Sequence, residues 1–318
     1  MTVQAMQAMR EPKAQQLAGA VEVSPMAIHC GAEIHGVDLS RPLPPAHVKT
    51  VRDALLKWKV VFFHGQTLDH RTHIAAARNF GDTTAGHVVY GSDGEHPQIY
   101  SVAKNRKANR YQGQVLFRPW SGWHTDITAA VNPPAASMLR GDVVPPYGGD
   151  TQFTNLVAAY NALSPVMQKF VDGLRGLHRF APPPGVDETP EYRELMRKRT
   201  LVTEHPIVRV HPETGERALF VSPSFLKSIV GVSARESQVL LEFLWEHIVR
   251  PEFTVRFRWA PGCVAFWDNR STAHLAPRDI FDSEFERQFY RVTLVGDVPV
   301  GVDGTPSKLL EGQPITTL

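Results

Sequence analysis

Thr254-Val255-Arg256-Phe257-Arg258-Trp259-Ala260-Pro261-Gly262-Cys263-Val264-Ala265-Phe266-Trp267 is the stretch that decides the fold class. Side chains alternate from Thr254 to Trp259 as in a strand with one buried face. Pro261-Gly262 then turns the chain, and the apolar run Val264 to Trp267 is expected to return beside the first strand as a hairpin. Phe285 to Val295 alternates again. Upstream, the apolar period lengthens to that of a helix. Val48, Val51, Leu55 and Trp58 form one stripe between Pro44 and Lys59, followed directly by the buried-strand signal Val60-Val61-Phe62-Phe63. Asp69 is placed to cap a helix through Ala77 that Phe80-Gly81 ends. Ser164-Pro165 reads as N-cap and first residue of a helix reaching about Gly173. Ser233 with Glu236 makes a capping box ahead of Val239, Leu240, Phe243, Leu244 and Ile248. Helices early and short strands late predict an antiparallel β-sandwich or barrel wrapped by helices.

The composition suits such a core. Of 318 residues, 42% are hydrophobic and 21% charged, an ordinary globular balance. A single domain over residues 21–318 is expected, after a mobile leader over residues 1–20 that lacks the apolar centre of a signal peptide. The 34 basic residues against 32 acidic ones argue against nucleic acid as a partner, and no apolar run approaches a membrane span. Cys30 and Cys263 cannot build a disulfide framework, which points to a cytoplasmic setting. Ala181-Pro182-Pro183-Pro184-Gly185 is expected to be a loop or lid hinge.

The chain holds a single His-x-Asp, His124-Asp126, within Trp123-His124-Thr125-Asp126. With 14 histidines, roughly one such match arises by chance, so its context has to carry the reading. In extended backbone, residues i and i+2 share a face, and both side chains could grip one ion. A surface histidine beside a turn aspartate is the bland alternative. His274, after Trp267-Asp268-Asn269-Arg270-Ser271-Thr272-Ala273, is either an isolated core histidine or a third ligand. Two imidazoles and a carboxylate are the donors that bind non-haem Fe(II) while leaving coordination positions open. Arg287, Phe289, Arg291, Thr293 and Val295 share one parity of a strand. If that parity faces inward, two guanidinium groups about 13 Å apart need two anions, since unpaired buried charge is costly.

Together with Gly31-Ala32-Glu33-Ile34-His35-Gly36-Val37-Asp38-Leu39, Val61-Phe62-Phe63, Gly148-Gly149-Asp150-Thr151 and Tyr290-Arg291-Val292-Thr293-Leu294-Val295-Gly296-Asp297, these residues resemble the taurine dioxygenase (TauD/TfdA) family. Its members are Fe(II) and 2-oxoglutarate-dependent dioxygenases. The resemblance implies a mainly β fold with flanking helices around a double-stranded β-helix, a cupin-like jelly-roll. It implies iron on His124, Asp126 and His274, with 2-oxoglutarate held by Thr151 and Arg287 and O2 as the second cosubstrate. Substrate contacts fall to Arg291, His87 and Tyr90. The implied reaction oxidises a C–H bond of a small organic anion and releases succinate and CO2.

Val298-Pro299-Val300-Gly301-Val302-Asp303-Gly304 and Glu204-His205-Pro206-Ile207-Val208-Arg209-Val210-His211-Pro212 look closest to the alkylsulfatase branch, which points to a sulfate ester or sulfonate. Carboxylate substrates, phenoxyalkanoates or N-carboxymethyl amino acids converted to isonitriles, remain the alternative, because a guanidinium serves either anion. Two features depart from the taurine-type pattern. Ala129 stands where those enzymes often carry Phe, which suggests a roomier pocket. The segment 103–122 contains Lys104, Arg106, Lys107, Arg110 and Arg118 with Tyr111, Phe117 and Trp120, and reads as a solvated loop or as a cationic lid. The resemblance is compatible with a homo-oligomer, a dimer or tetramer. The rival classes are a zinc hydrolase on the same three ligands, which gives no role to Arg287 and Thr151, and a non-catalytic cupin-like binding module.

Overall fold

The computed structural model describes residues 20–87, 89–92, 94–103, 118–180, 190, 194, 197 and 199–318. The expected leader, except Ala20, lies outside the described residues, as do the expected hinge at 181–185 and Lys104, Arg106, Lys107, Arg110, Tyr111 and Phe117 of the basic segment.

The described chain is mostly β with a few helices. Val264–Asp268 runs at the centre of a seven-stranded sheet, hydrogen-bonded on one edge to Val60–Phe63 and on the other to Ala136–Val143, which in turn pairs with Gln288–Thr293. Facing it is a three-stranded sheet in the order Thr254–Phe257, Thr151–Asn155, Thr272–Leu275. Phe62 stacks on Phe257 across the gap with ring centroids 4.0 Å apart, and Phe153 packs at 5.4 Å from Trp267. Aromatic surface of this kind, removed from water, supplies most of the cohesion between the layers. The alternate residues Val61, Phe63, Met138 and Phe266 point the other way, into a core shared with Val51, Leu55, Ile74 and Ala77 of two helices. Val60–Phe63 is thus buried on both faces, which is why its sequence is an unbroken apolar run rather than an alternation.

The four helices read from the sequence all form, three of them at the caps that announce them. Pro45–Trp58 ends at Lys59 in the left-handed region (φ 70°), a conformation disfavoured for a residue with a Cβ. The buried Lys59 ammonium is anchored there by Leu56 O and Glu216 Oε2. His70–Arg78 starts from a box in which Asp69 accepts from Thr72 N–H. Ser164 caps Pro165–Asp172, and Ser233 and Glu236 cap Ala234–Ile248 reciprocally. Each such cap contributes about 1 kcal/mol.

The expected hairpin does not form. Thr254–Phe257 pairs with Thr151–Asn155, whereas Val264–Asp268 has both edges taken within the opposite sheet. The connection Arg258 to Cys263 carries the chain from one layer to the other, with Arg258, Ala260 and Pro261 exposed. Trp259 and Cys263 are buried on the way, and Trp259 lies edge-on to Phe257 and Phe289. The apolar residues on either side of the turn fill the space between the layers from opposite sides, Phe257 from one sheet and Ala265 and Trp267 from the other, so the two strands cannot be neighbours in one sheet. The alternating strand is also shorter than expected, Gln288–Thr293, with a bulge at Gln288/Phe289 that leaves Arg287 just ahead of it.

Candidate metal centre

His124 lies on no regular strand, yet its backbone is locked to that of His274. The two residues exchange N–H···O bonds of 2.9 and 2.7 Å, which extends the three-stranded sheet by one bridge and brings the imidazole centroids to 4.2 Å. Thr125 turns away and donates its hydroxyl to Thr272 O at 2.7 Å. Asp126 therefore returns to the side of His124, as the i, i+2 spacing predicts. Ile127, immediately after, has φ +46°. A β-branched residue in that region costs about 1–3 kcal/mol, and such strain clusters at functional sites. The ligating atoms of His124, Asp126 and His274 lie within 4.8 Å of one another. Among the described residues no other three His, Cys, Asp or Glu side chains converge in this way.

The protonation states suit a cation. Burial pushes His124 and His274 below the ordinary imidazole range, so both rings are neutral at pH 7. Nδ1 of His124 lies 3.0 Å from Gly122 O, an acceptor only, so Nδ1 carries the proton and Nε2 keeps its lone pair for an ion. His274 Nδ1 is buried without a hydrogen-bond partner among the described residues. Burial would raise the Asp126 carboxyl, but the Arg291 guanidinium, the two imidazoles and the Ser137 hydroxyl together hold it well below the usual carboxylate range. Two neutral nitrogens and one anionic oxygen fit a divalent first-row metal such as Fe(II).

Of the remaining expected residues, Arg291 touches this cluster directly. Arg287, Phe289, Arg291 and Thr293 are all buried, so their parity does face inward. Arg287 finds no carboxylate partner within salt-bridge distance among the described residues. Its Nε–H donates to Gly149 O at 3.2 Å, and its guanidinium lies 3.8 Å from the Phe289 ring centroid. Burial pulls it down to about 10, against the opposing pull of Asp279 and Asp150. Arg291, by contrast, already has an anion: Nη1 donates to Asp126 Oδ1. Of the two anions that the sequence demands, the chain itself supplies one. Thr151 is buried and accepts from Trp259 Nε1–H at 2.9 Å.

His87 Nδ1 accepts from Val89 N–H and Tyr90 N–H, and its ring packs between Tyr90 at 4.6 Å and Tyr100 at 4.7 Å. The Arg291 guanidinium lies 5.1 Å from the Tyr100 ring centroid, so His87 and Tyr90 reach Arg291 through Tyr100. Ala129 is fully buried in an apolar cluster with Val89, Ile127, Phe180 and Phe225. Trp120 packs on Trp245, whereas Arg118 is exposed. Sequence reading missed Ser137, Tyr100 and Trp259. Each becomes relevant only through pairing with a residue more than 10 positions away, and none carries a local signature.

The chain matches the taurine catabolism dioxygenase TauD, TfdA family over residues 22–293. It is 40% identical to an alpha-ketoglutarate-dependent sulfate ester dioxygenase of Pseudomonas putida over 91% of this chain and 94% of that protein. It is 37% identical to an alkylsulfatase of Acinetobacter baylyi, covering 87% of this chain and 86% of that one. The crystal structure of a taurine dioxygenase from Burkholderia xenovorans superposes with a TM-score of 0.82 at 59% identity, over 93% of this chain and 96% of that one. With the His-Asp-His cluster, the inward arginines and these likenesses in hand, the chain belongs to the TauD/TfdA family of dioxygenases.

Proposed function

We propose that this chain is an Fe(II) and 2-oxoglutarate-dependent dioxygenase that oxidises a C–H bond of a small anionic organic substrate, a sulfate ester or sulfonate, with release of succinate and CO2. The observation that carries this reading is the pairing of the cluster His124, Asp126 and His274 with a buried Arg287 that has no carboxylate of its own. His124, Asp126 and His274 would hold the iron. When bound, iron supplies O2 activation coupled to decarboxylation of the keto acid. Arg287 would take the distal carboxylate of 2-oxoglutarate in a charge-assisted pair, and Thr151 the other carboxylate. A zinc hydrolase on the same ligands leaves Arg287 buried for no purpose.

Arg291, with His87 and Tyr90, would anchor the anionic group of the substrate. Arg291 reaches Asp126, so a substrate held by it lies close to the metal ligands. Aromatic rings of Tyr90 and Tyr100 shield that approach from water, which strengthens a guanidinium–anion contact. The likeness to a sulfate ester dioxygenase and an alkylsulfatase favours a sulfate ester within this class.

The same reading takes the two facing sheets as the double-stranded β-helix of the family and residues 21–318 as one catalytic domain. Two free buried cysteines suit a reducing cytoplasm, and no described helix is long and apolar enough to cross a membrane. A homo-oligomer, dimer or tetramer, completes the proposal; nucleic acid has no place in it.

A succinate-release screen under air tests the substrate class. Alkyl sulfates or alkyl sulfonates should drive succinate formation well above the uncoupled rate, and Arg291→Ala should raise KM for them. If only phenoxy acids or N-carboxymethyl amino acids do so, the carboxylate reading replaces this one.

A further inference from the structure

Trp267, Asn269 and Ser137 form a buried hydrogen-bonded chain that ends on Asp126. The Trp267 indole Nε1–H donates to Asn269 Oδ1 at 2.9 Å, Asn269 Nδ2–H donates to Ser137 Oγ at 2.8 Å, and Ser137 Oγ–H donates to Asp126 Oδ2 at 2.7 Å. All four side chains are at most 2% exposed. The two strands involved hold the chain in register, since Trp267 and Ser137 are direct cross-strand partners and Asn269 N–H bonds Ala135 O at 2.9 Å.

The direction of this chain is fixed by chemistry. An indole N–H can only donate, so Asn269 must turn its oxygen towards Trp267. The flipped amide would set an NH2 group against the indole N–H and leave both buried donors unsatisfied. With the oxygen so placed, the Asn269 NH2 points at Ser137, whose hydroxyl accepts it. Ser137 is then left with one proton and one destination, Asp126 Oδ2. At its far end Trp267 also packs against His274, with ring centroids 4.8 Å apart.

We propose that Trp267, Asn269 and Ser137 are positioning residues that orient the Asp126 carboxylate for the metal. Resting on the metal-site reading above, the chain occupies Oδ2 with a directed donor, while Oδ1, which accepts from Arg291 Nη1, keeps its second lone pair for the ion. It also ties two of the three ligands to one indole, because Trp267 sets the chain to Asp126 and braces the ring of His274. A carboxylate free to rotate could present either oxygen or both, whereas one with Oδ2 engaged presents a single oxygen. The same contact spreads the anionic charge over the hydroxyl and gives Asp126 a neutral donor beside the charged one from Arg291.

Co(II) titration of the full-length protein, stripped of metal with chelator, tests this without turnover. Ser137→Ala should weaken Co(II) binding by roughly 10- to 100-fold, the range for loss of a ligand's hydrogen-bond partner. At saturation it should also shift the Co(II) d–d bands, a signature that a packing role would leave alone. Ser137→Ala strands the Asn269 NH2, so Ser137→Ala/Asn269→Leu, which removes both polar groups, is measured beside it and should show the same loss. Wild-type Co(II) affinity and an unshifted spectrum in either folded variant overturn the proposal. Asp126→Ala is the separating control. If it binds Co(II) like the wild type, the metal-site reading has failed; if it does not and the Ser137 variants do, only the positioning chain has failed.

Discussion

Replacing Arg287 with Met should separate what this side chain does for folding from what it does for binding. The guanidinium is 7% exposed and has no carboxylate partner among the described residues. Its fall from the ordinary guanidinium range to about 10 corresponds to about 3 kcal/mol by which the folded state disfavours the charge. Because the folded value stays far above neutrality, Arg287 is charged at pH 7 in both states and the full penalty is present there; it is relieved only as pH rises through about 10. Met removes that penalty but also removes the bond to Gly149 O, worth about 1 kcal/mol, and the cation–π contact with Phe289, worth about 1–2 kcal/mol. These effects nearly cancel, so the metal-free variant should melt within a few degrees of the wild type. The ligand response should not survive. A bidentate charge-assisted pair contributes about 3 kcal/mol or more, so 2-oxoglutarate should bind at least ~100-fold more weakly. In a thermal-shift assay with Mn(II), excess 2-oxoglutarate at about 100 times its Kd should raise the wild-type Tm by roughly 5 °C and leave the variant unmoved. A variant that unfolds without ligand, or one that responds to 2-oxoglutarate like the wild type, would refute the assignment.

Two further outcomes follow from the geometry. Thr151→Val strands the buried Trp259 Nε1–H, so urea melts should show a loss of about 1–3 kcal/mol together with weaker 2-oxoglutarate binding. Acid stability depends on His73 and His205, both pushed down to about 3, chiefly by burial. The unfolded chain binds their protons from about pH 6.5 downward and the folded one only near 3, so stability is intact above 6.5 and declines as pH falls. Each should cost about 2 kcal/mol at pH 5. Equal denaturant midpoints at pH 8 and pH 5 would contradict this.

Local chemistry made the helices legible. Ser233 and Glu236, Ser164 before Pro165, and Asp69 each announce a helix start within a few residues, and the structure forms all three as read. The strand Val60–Phe63 was equally plain. Partner choice among strands was not, because it depends on what lies across the core. Nothing local to Thr254 to Trp267 says that Trp259 is drawn between two sheets, so proximity in sequence suggested a hairpin that the packing forbids. The site divided in the same way. His124 and Asp126 share a face by spacing alone, and the parity of Arg287 and Arg291 gave their burial. That Arg291 rests on Asp126 follows from a contact across 165 positions, and Ser137 reaches the other oxygen from 11 positions away with no local pattern to mark it; serine is too common to flag itself.

The central claim is that His124, Asp126 and His274 hold an iron to which 2-oxoglutarate chelates. Fe(II) and 2-oxoglutarate added anaerobically to the metal-free protein should produce a weak visible charge-transfer band that saturates at one equivalent of iron. The band should be absent in His124→Ala. No band in the wild-type protein, or the same band in His124→Ala, would contradict the account.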